Sequence, residues 1–426
     1  MSEQGSARHH LIDIARVLSV LVVVIFHCLL YQIEVVASAP SIVPWAPGVE
    51  WWIASWFFMI MPVFFVAGGF AHALVVDKMR ARGGGYAHYL ASRGRRLVGP
   101  LLLFVSASAL VSTAGFWFGH PERSVELSRQ FAQLLWFLTI YLLIVAVAPA
   151  LVSAQSRSPW VLLGLLFVGV VGVDWWSFSA RSYELRNLNL LLAWPLVHQL
   201  GIAYHRGWFR RGPVWQPLAG LMVGVAGVLV LVLGFGYPPS AVGLANIPIA
   251  NVQPPTLAMV FLGVAQASAL GLAERAGLAR SVSHRVERIL AAANALLVTA
   301  YLWHIPVILI SGFGLFLLTG AFPAATDVLL SQPMVVAVTL PLLATLAPLI
   351  GRLEYRLVPG LGYAPRRTPT IAAFALLSGA TALVWMNGAV LAPSQPWSSL
   401  GVVGLWLGAL AMARAAGGSS AVARVS

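Results

Sequence analysis

The sequence predicts an all-α, polytopic transmembrane helical bundle with twelve candidate spans. Three observations predict it. Hydrophobic residues make up 59% of the 426-residue chain and charged residues only 9%, at a mean hydropathy of +0.86, a balance that a water-soluble fold of this length has no interior large enough to hide. Apolar runs near the ~20 residues needed to cross a bilayer recur along the whole chain. The cations between those runs alternate in abundance from one loop to the next.

Taken in order, the apolar stretches fall near 11–31, 51–76, 97–117, 132–152, 159–175, 188–204, 214–235, 255–273, 291–318, 333–351, 369–390 and 399–413. With the N-terminus inside, only Arg123, Arg129, Arg181 and Arg186 fall in outer loops, Arg16 lies within the first stretch, and all remaining Lys and Arg residues fall inside. Positively charged loops stay on the cytoplasmic side, so both termini are expected in the cytoplasm of a multi-pass protein of the cell membrane. The net charge of +13 is scattered among these loops and forms no single basic patch, which argues against a nucleic-acid partner.

Cys28 is the single cysteine, which excludes an intrachain disulfide and a cysteine zinc cluster; no metal site is expected. Ala37-Ser38-Ala39 has the small-x-small form of a signal-peptide cleavage site. The run before it is longer than a signal core and is interrupted by Arg16, so the segment is expected to stay uncleaved. Outer loops 32–50 and 236–254 are rich in Pro, Ala and Gly, and the second carries no charge. Such a loop suits either an amphiphile's entrance or a neutral connector on the membrane surface. Residues 414–426 read as a cytoplasmic tail. The chain shows no fixed-period repeat and leaves no room for a soluble domain between spans.

The chemistry-bearing residues begin in the first stretch, where Asp13, Arg16 and His27 interrupt the apolar run from Leu11 to Tyr31. Eleven steps of ~100° come to about three turns, so Arg16 and His27 leave one helix face, separated by about 16 Å along the axis. Asp13 is one turn before Arg16, within reach of a local ion pair. Ionisable groups within a span usually face a bundle interior or a wet cavity. A start-transfer segment with a snorkelling Arg is the plainer reading. Arg93-Gly94-Arg95-Arg96 ends a basic loop ahead of the third stretch; it suits bidentate phosphate binding or serves as a topology signal. Phe64-Phe65-Val66-Ala67-Gly68-Gly69-Phe70 offers paired glycines for the close approach of a helix or ligand. Thr299-Ala300-Tyr301-Leu302-Trp303-His304 sets an aromatic hydroxyl and an imidazole three residues apart on one helix face, for chemistry or for a structural hydrogen bond.

Together these stretches resemble the membrane-bound acyltransferase family 3, integral membrane enzymes that O-acylate sugars, cell-envelope glycans and some macrolides. Ile12-Asp13-Ile14-Ala15-Arg16 followed by His27 resembles the family's Arg-x10-His helix, and Phe64 to Phe70 its Phe-Phe-x-x-Ser-Gly-Phe element. Arg93-x-x-Arg96 resembles its Arg-x-x-Arg loop, Trp136-Phe137-Leu138 its Trp-Phe-Leu helix start, and Tyr301-Leu302-Trp303-His304 its Tyr-Leu-x-His element. Glu354 falls where the family often carries a Glu. The resemblance covers residues 8–360 as the acyltransferase domain and implies a ten-helix core there; the two additional C-terminal helices in 369–413 lie beyond it. Gly68 stands where the family has Ser, and Ile14 where it has Gly.

The resemblance implies a cytoplasmic acyl-CoA donor, acetyl-CoA or a longer one, and a hydroxylated sugar, glycan or lipid-linked acceptor. Arg93 and Arg96 would then meet the donor's phosphates. Arg16 would guide its phosphate or pantetheine region with Asp13 orienting it, and His27 would act as general base or acyl carrier. His304 is the competing catalytic imidazole, with Gly69, Phe70, Tyr301 and Glu354 in supporting roles. The rival classes are a proton-coupled transporter of a small or amphiphilic solute, which also uses intramembrane Arg, Asp and His, and a non-catalytic scaffold.

Overall fold

The computed structural model describes residues 9–36, 39–247, 249–361 and 365–416. It is helical, with one short hairpin. The helices are α1 His10–Leu30, α2 Val49–Phe58, α3 Met61–Ala81, α4 Tyr86–Trp117, α5 Pro121–Ala132, α6 Leu135–Arg157, α7 Pro159–Ser179, α8 Ala193–His205, α9 Trp215–Gly234, α10 Leu257–Arg275, α11 His284–Ala295, α12 Leu297–Ala321, α13 Thr326–Leu329, α14 Gln332–Arg356, α15 Arg367–Asn387 and α16 Pro396–Ala415. Among the described residues, eleven helical stretches are long and apolar enough to cross a membrane, α2 and α3 counting as one. The chain is therefore a multi-pass membrane protein, since helices satisfy their own backbone polar groups where water is absent.

Three expectations need correction. The stretch at 188–204 is not one spanning helix. It is a 3-10 helix, Glu184–Leu191, followed by the 13-residue α8. Asn189 turns its amide to Asp174 at 2.8 Å, and Pro195, which has no N–H to give, is confined to the first turn of α8. The loop at 32–50 contains an antiparallel hairpin, β1 Tyr31–Val36 and β2 Ala39–Pro44, with Tyr31 opposite Pro44, consistent with the β-branched residues in both strands. The basic segment 93–96 is not a loop but lies within α4, whose 32 residues begin at Tyr86. Arg costs little in a helix, so the apolar run understated its length. Positions 37 and 38 of the cleavage-like triplet, Arg8, Arg424 and the tail beyond 416 lie outside the described residues.

The chain divides into two compact units. The first comprises Met1–Val75, Ala150–Leu297 and Leu330–Val336. Its centre is α8, where Trp194, Val197, His198, Gln199, Ile202 and Tyr204 are all buried. Helices α3 and α8 meet backbone to backbone. A Cβ built on Gly69 would stand 2.0 Å from the His198 carbonyl oxygen, and one on Gly201 would stand 1.9 Å from that of Val66. The loop 236–254 is tied down: Ser55 Oγ and Ser240 Oγ are 3.1 Å apart, Trp56 Nε1 donates to the Pro239 carbonyl, and Asn251 Nδ2 donates to the carbonyls of Pro238 and Ser240.

The second unit comprises Val76–Pro149, Val298–Leu329 and Ala337–Ser426. Here α15 and α16 pair with each other and both pack on α4. A Cβ on Gly94 would meet Phe374 and Met412 at 2.9 Å, so this glycine admits the two C-terminal helices beside the Arg93–Arg96 segment. The turn after α15 is pinned as well, because Ala389 N donates to Ser128 Oγ at 2.5 Å and Leu391 N to Thr113 Oγ1 at 2.9 Å.

The two glycines of the Phe64–Phe70 element differ in consequence. Gly68 has only the His198 ring edge near it, at 3.9 Å. Gly69→Ala is expected to cost at least about 1–3 kcal/mol by forcing α3 off α8 and to lower the thermal midpoint of the purified protein. Gly68→Ser, the residue the family pattern carries, is expected to leave the midpoint within a degree or so, as an uncrowded site allows. Equal midpoints for the two variants would show that the helices separate at little cost.

Candidate functional site

In the first unit, Arg16 and His27 both lie on α1 and are half-buried. His27 Nδ1 is 2.8 Å from the Val23 carbonyl oxygen one turn earlier. A carbonyl only accepts, so in the neutral ring Nδ1 carries the proton and Nε2 the lone pair. Among the described residues no hydrogen bond or ion pair engages the Arg16 guanidinium, and the expected Asp13–Arg16 pair does not form. Asp13 uses its carbonyl oxygen instead, which accepts from Asn294 Nδ2 at 3.3 Å and links α1 to α11. At the other end of α1, the Leu29 carbonyl accepts from Gln332 Nε2 at the start of α14.

The Phe64–Phe70 element packs on α8 and on the entry to α1. Phe65 stacks on Trp194 with centroids 4.5 Å apart and an interplanar angle of 12°. Phe70 stands edge-on to His9 at 4.8 Å and to His205 at 5.2 Å. Burial, then the Arg210 cation, hold the His9 imidazole below its ordinary pKa. Arg210 pairs with Glu274 at 3.1 Å, and Glu274 also accepts from Tyr204. Gly69 and Phe70 are thus packing residues that fix α3 against α8 and the start of α1.

The second unit holds the remaining sequence-derived residues. Arg93 and Arg96, three apart on α4, share a helix side. Arg93 is half-buried, and its Nε has no hydrogen-bond partner among the described residues; Arg96 is exposed. Arg95 is engaged elsewhere, donating to the Pro359 carbonyl at 3.0 Å. On α12, His304 is wholly buried, with Nδ1 2.6 Å from the Tyr301 carbonyl oxygen. The Tyr301 hydroxyl donates to the Leu134 carbonyl at 2.9 Å, and its ring meets Phe137 edge-on at 5.3 Å. Trp136 and Phe137 open α6 there.

Glu354 joins α14 to α12. It accepts from Thr299 Oγ1 at 2.5 Å and from Trp303 Nε1 at 3.3 Å, and the close approach of Gly99 to its backbone adds α4 to the junction. Both carboxylate oxygens are committed, so Glu354 holds helices together. The structure places Arg16, His27, Gly69 and Phe70 in the first unit and Arg93, Arg96, Tyr301, His304 and Glu354 in the second. Among the described residues no group of three His, Cys, Asp or Glu side chains has metal-binding geometry.

Sequence reasoning missed two buried polar clusters of the first unit. His72 Nδ1 and His198 Nε2 lie 2.9 Å apart beneath the α3–α8 crossing. Asp174 accepts from Asn189 Nδ2, Tyr237 Oη and Leu257 N, each at 2.8 Å, thereby capping α10. The same signal that singled out His27, an ionisable residue inside an apolar stretch, marks His72, Asp174 and His198 too.

Glu354→Ala is expected to lower the thermal midpoint in detergent more than Glu354→Gln, because only the amide retains an acceptor for Thr299 or Trp303. The loss corresponds to about 1–3 kcal/mol for stranding buried donors. Equal midpoints for wild type and Glu354→Ala would remove Glu354 from the helix junction.

A family model described as an acyltransferase domain matches residues 9–351. No curated protein and no solved structure matches the chain. The matched range includes both histidines and all three motif arginines, and it ends before Glu354 and before α15 and α16.

Proposed function

The chain belongs to acyltransferase family 3, and on that premise we propose that it moves an acyl group, acetyl being the simplest, from acyl-CoA to a hydroxyl of a sugar, envelope glycan, glycolipid or glycosylated metabolite. The observation that carries this reading is His27. Its Nδ1–H is committed to the Val23 carbonyl, which makes Nε2 the basic nitrogen of the neutral ring, on the same helix as Arg16, whose guanidinium no hydrogen bond or ion pair engages among the described residues. In the proposed step Nε2 takes the proton of the acceptor hydroxyl as its oxygen attacks the thioester carbonyl. The carbon–sulfur bond breaks, and the CoA thiolate leaves with that proton. Attack by Nε2 itself, forming an acyl-imidazole, uses the same nitrogen; acid-quench trapping of acylated protein distinguishes the routes.

The arginines suit the anionic end of the acyl-CoA donor. Among the described residues the Arg16 guanidinium and Arg93 Nε have no hydrogen-bond or ion-pair partner, which suits them to binding phosphate oxygens. Mass spectrometry of envelope glycans and lipids from cells with and without the gene tests the function: loss of one ester-linked acyl group supports it, and identical profiles together with altered solute uptake favour a transporter. With the purified protein, Arg16→Ala and the pair Arg93→Ala with Arg96→Ala are expected to raise the donor KM about tenfold or more, with turnover partly restored at high acyl-CoA. An unchanged donor KM would reduce these arginines to topology signals.

Both termini are proposed to face the cytoplasm, from the loop charges. Introduced one at a time in a Cys28→Ala background, cysteines at the exposed positions Arg82 and Arg211 should resist a membrane-impermeant maleimide in intact cells and react after lysis. Labelling before lysis would invert the topology.

A further inference from the structure

The most anomalous polar group in the first unit is Arg186, which none of the roles above uses. It lies in the 3-10 helix Glu184–Leu191 and is 1% exposed. Its Cζ lies 4.8 Å from the centroid of the Phe178 ring and 5.6 Å from that of Tyr183. Ring faces balance part of a guanidinium's charge but accept no conventional in-plane N–H bond. Among the described residues its Nε, Nη1 and Nη2 all lack a hydrogen-bond partner. Asp174 gives Arg186 long-range compensation, but makes no ion pair with it among the described residues, and its oxygens serve Asn189, Tyr237 and Leu257.

A second orphan accompanies it. Residues three apart in a 3-10 helix eclipse one another, which sets Asn189 on the same edge as Arg186. Asn189 is fully buried; its Nδ2 is spent on Asp174, while its Oδ1 has no donor among the described residues. A buried cation without hydrogen bonds is costly, and so is a buried amide oxygen without a donor. The pair offers the planar N–H fork that fits two oxygens of one anion, beside an acceptor that fits a hydroxyl.

Access is limited on one side and thin on another. The loop that contributes Tyr237 is pinned by its own hydrogen bonds to Ser55 and Asn251. Tyr183, by contrast, is 52% exposed while its ring lies over Arg186, so a ligand reaching the guanidinium from this side would displace that one side chain.

We infer that Arg186 and Asn189 form a recognition site for an oxyanion, carboxylate or phosphate, carried beside a hydroxyl group. An acidic sugar has that chemistry, and so does the glycerol headgroup of phosphatidylglycerol. Only the further step, that an acidic sugar bound here is the acceptor, rests on the proposed function; the site itself does not.

The test is thermal unfolding of the full purified chain in detergent, titrated separately with glucuronate, glucose 6-phosphate, phosphatidylglycerol, methyl glucoside and phosphatidylcholine. At saturation at least one of the three hydroxylated oxyanions should raise the midpoint by about 2 °C or more, while methyl glucoside and phosphatidylcholine leave it in place. A response to the sugar acids identifies a saccharide site, and a response to phosphatidylglycerol alone a lipid site. Arg186→Lys, which keeps the charge but loses the fork, should weaken the response at least tenfold in apparent affinity. Should that variant not fold, Tyr183→Ala takes its place and should change the oxyanion affinity at least threefold. No response to any oxyanion, an equal response to the neutral probes, or a variant indistinguishable from wild type overturns the site. Transfer is not the readout, so failure of the acyltransferase reading would appear separately, as lack of acyl-CoA turnover with this binding intact.

Discussion

The first unit depends on one close contact, the crossing of α3 over α8 at Gly69 and Gly201, where no side chain fits between the backbones. Van der Waals packing of small residues carries helix association in lipid, because burial of apolar surface gives little advantage there. This crossing fixes the rest of the Phe64–Phe70 element: Phe65 against Trp194, Phe70 against His9 and His205, and His72 against His198. It thereby sets the packing around the start of α1, the helix that carries Arg16 and His27.

The second unit uses a polar joint. Glu354 is 3% exposed, and its carboxylate ties α14 to α12 through Thr299 and Trp303, with Gly99 bringing α4 against the same residue. A buried carboxylate is tolerated when its oxygens are occupied, and here the donors come from the turn just ahead of His304. The packing of α15 and α16 on α4 at Gly94 gives those helices a physical task beside the Arg93–Arg96 segment, although they lie beyond the family match.

The spans were legible in the sequence because hydropathy over about twenty residues reports what lipid demands. What failed was local. Arg93 to Arg96 read as a loop from their charge, yet α4 continues through them; 188–204 read as a span from its leucines, yet Asn189 and Pro195 divide it into a 3-10 helix and α8. The candidate residues were legible one by one, as ionisable groups in apolar runs or as motif positions. Their partners were not. Asn294 with Asp13, or Thr299 with Glu354, are contacts between distant segments that no periodicity encodes. The expected Asp13–Arg16 pair shows the converse: proximity on a helix made it available, and the structure directs Asp13 to α11 through its backbone instead.

In the proposed mechanism His27 Nε2 performs the transfer while the buried His304 supports the fold around Tyr301. The most direct measurement is single-turnover transfer of a radiolabelled acetyl group from acetyl-CoA to the acceptor identified in cells, using purified His27→Ala and His304→Ala proteins whose thermal unfolding shows them folded. His27→Ala is expected to lose at least roughly a hundredfold in rate, the range of a general base, whereas folded His304→Ala retains transfer. Near-normal transfer by His27→Ala with a dead His304→Ala would contradict this mechanism and move the chemistry to α12.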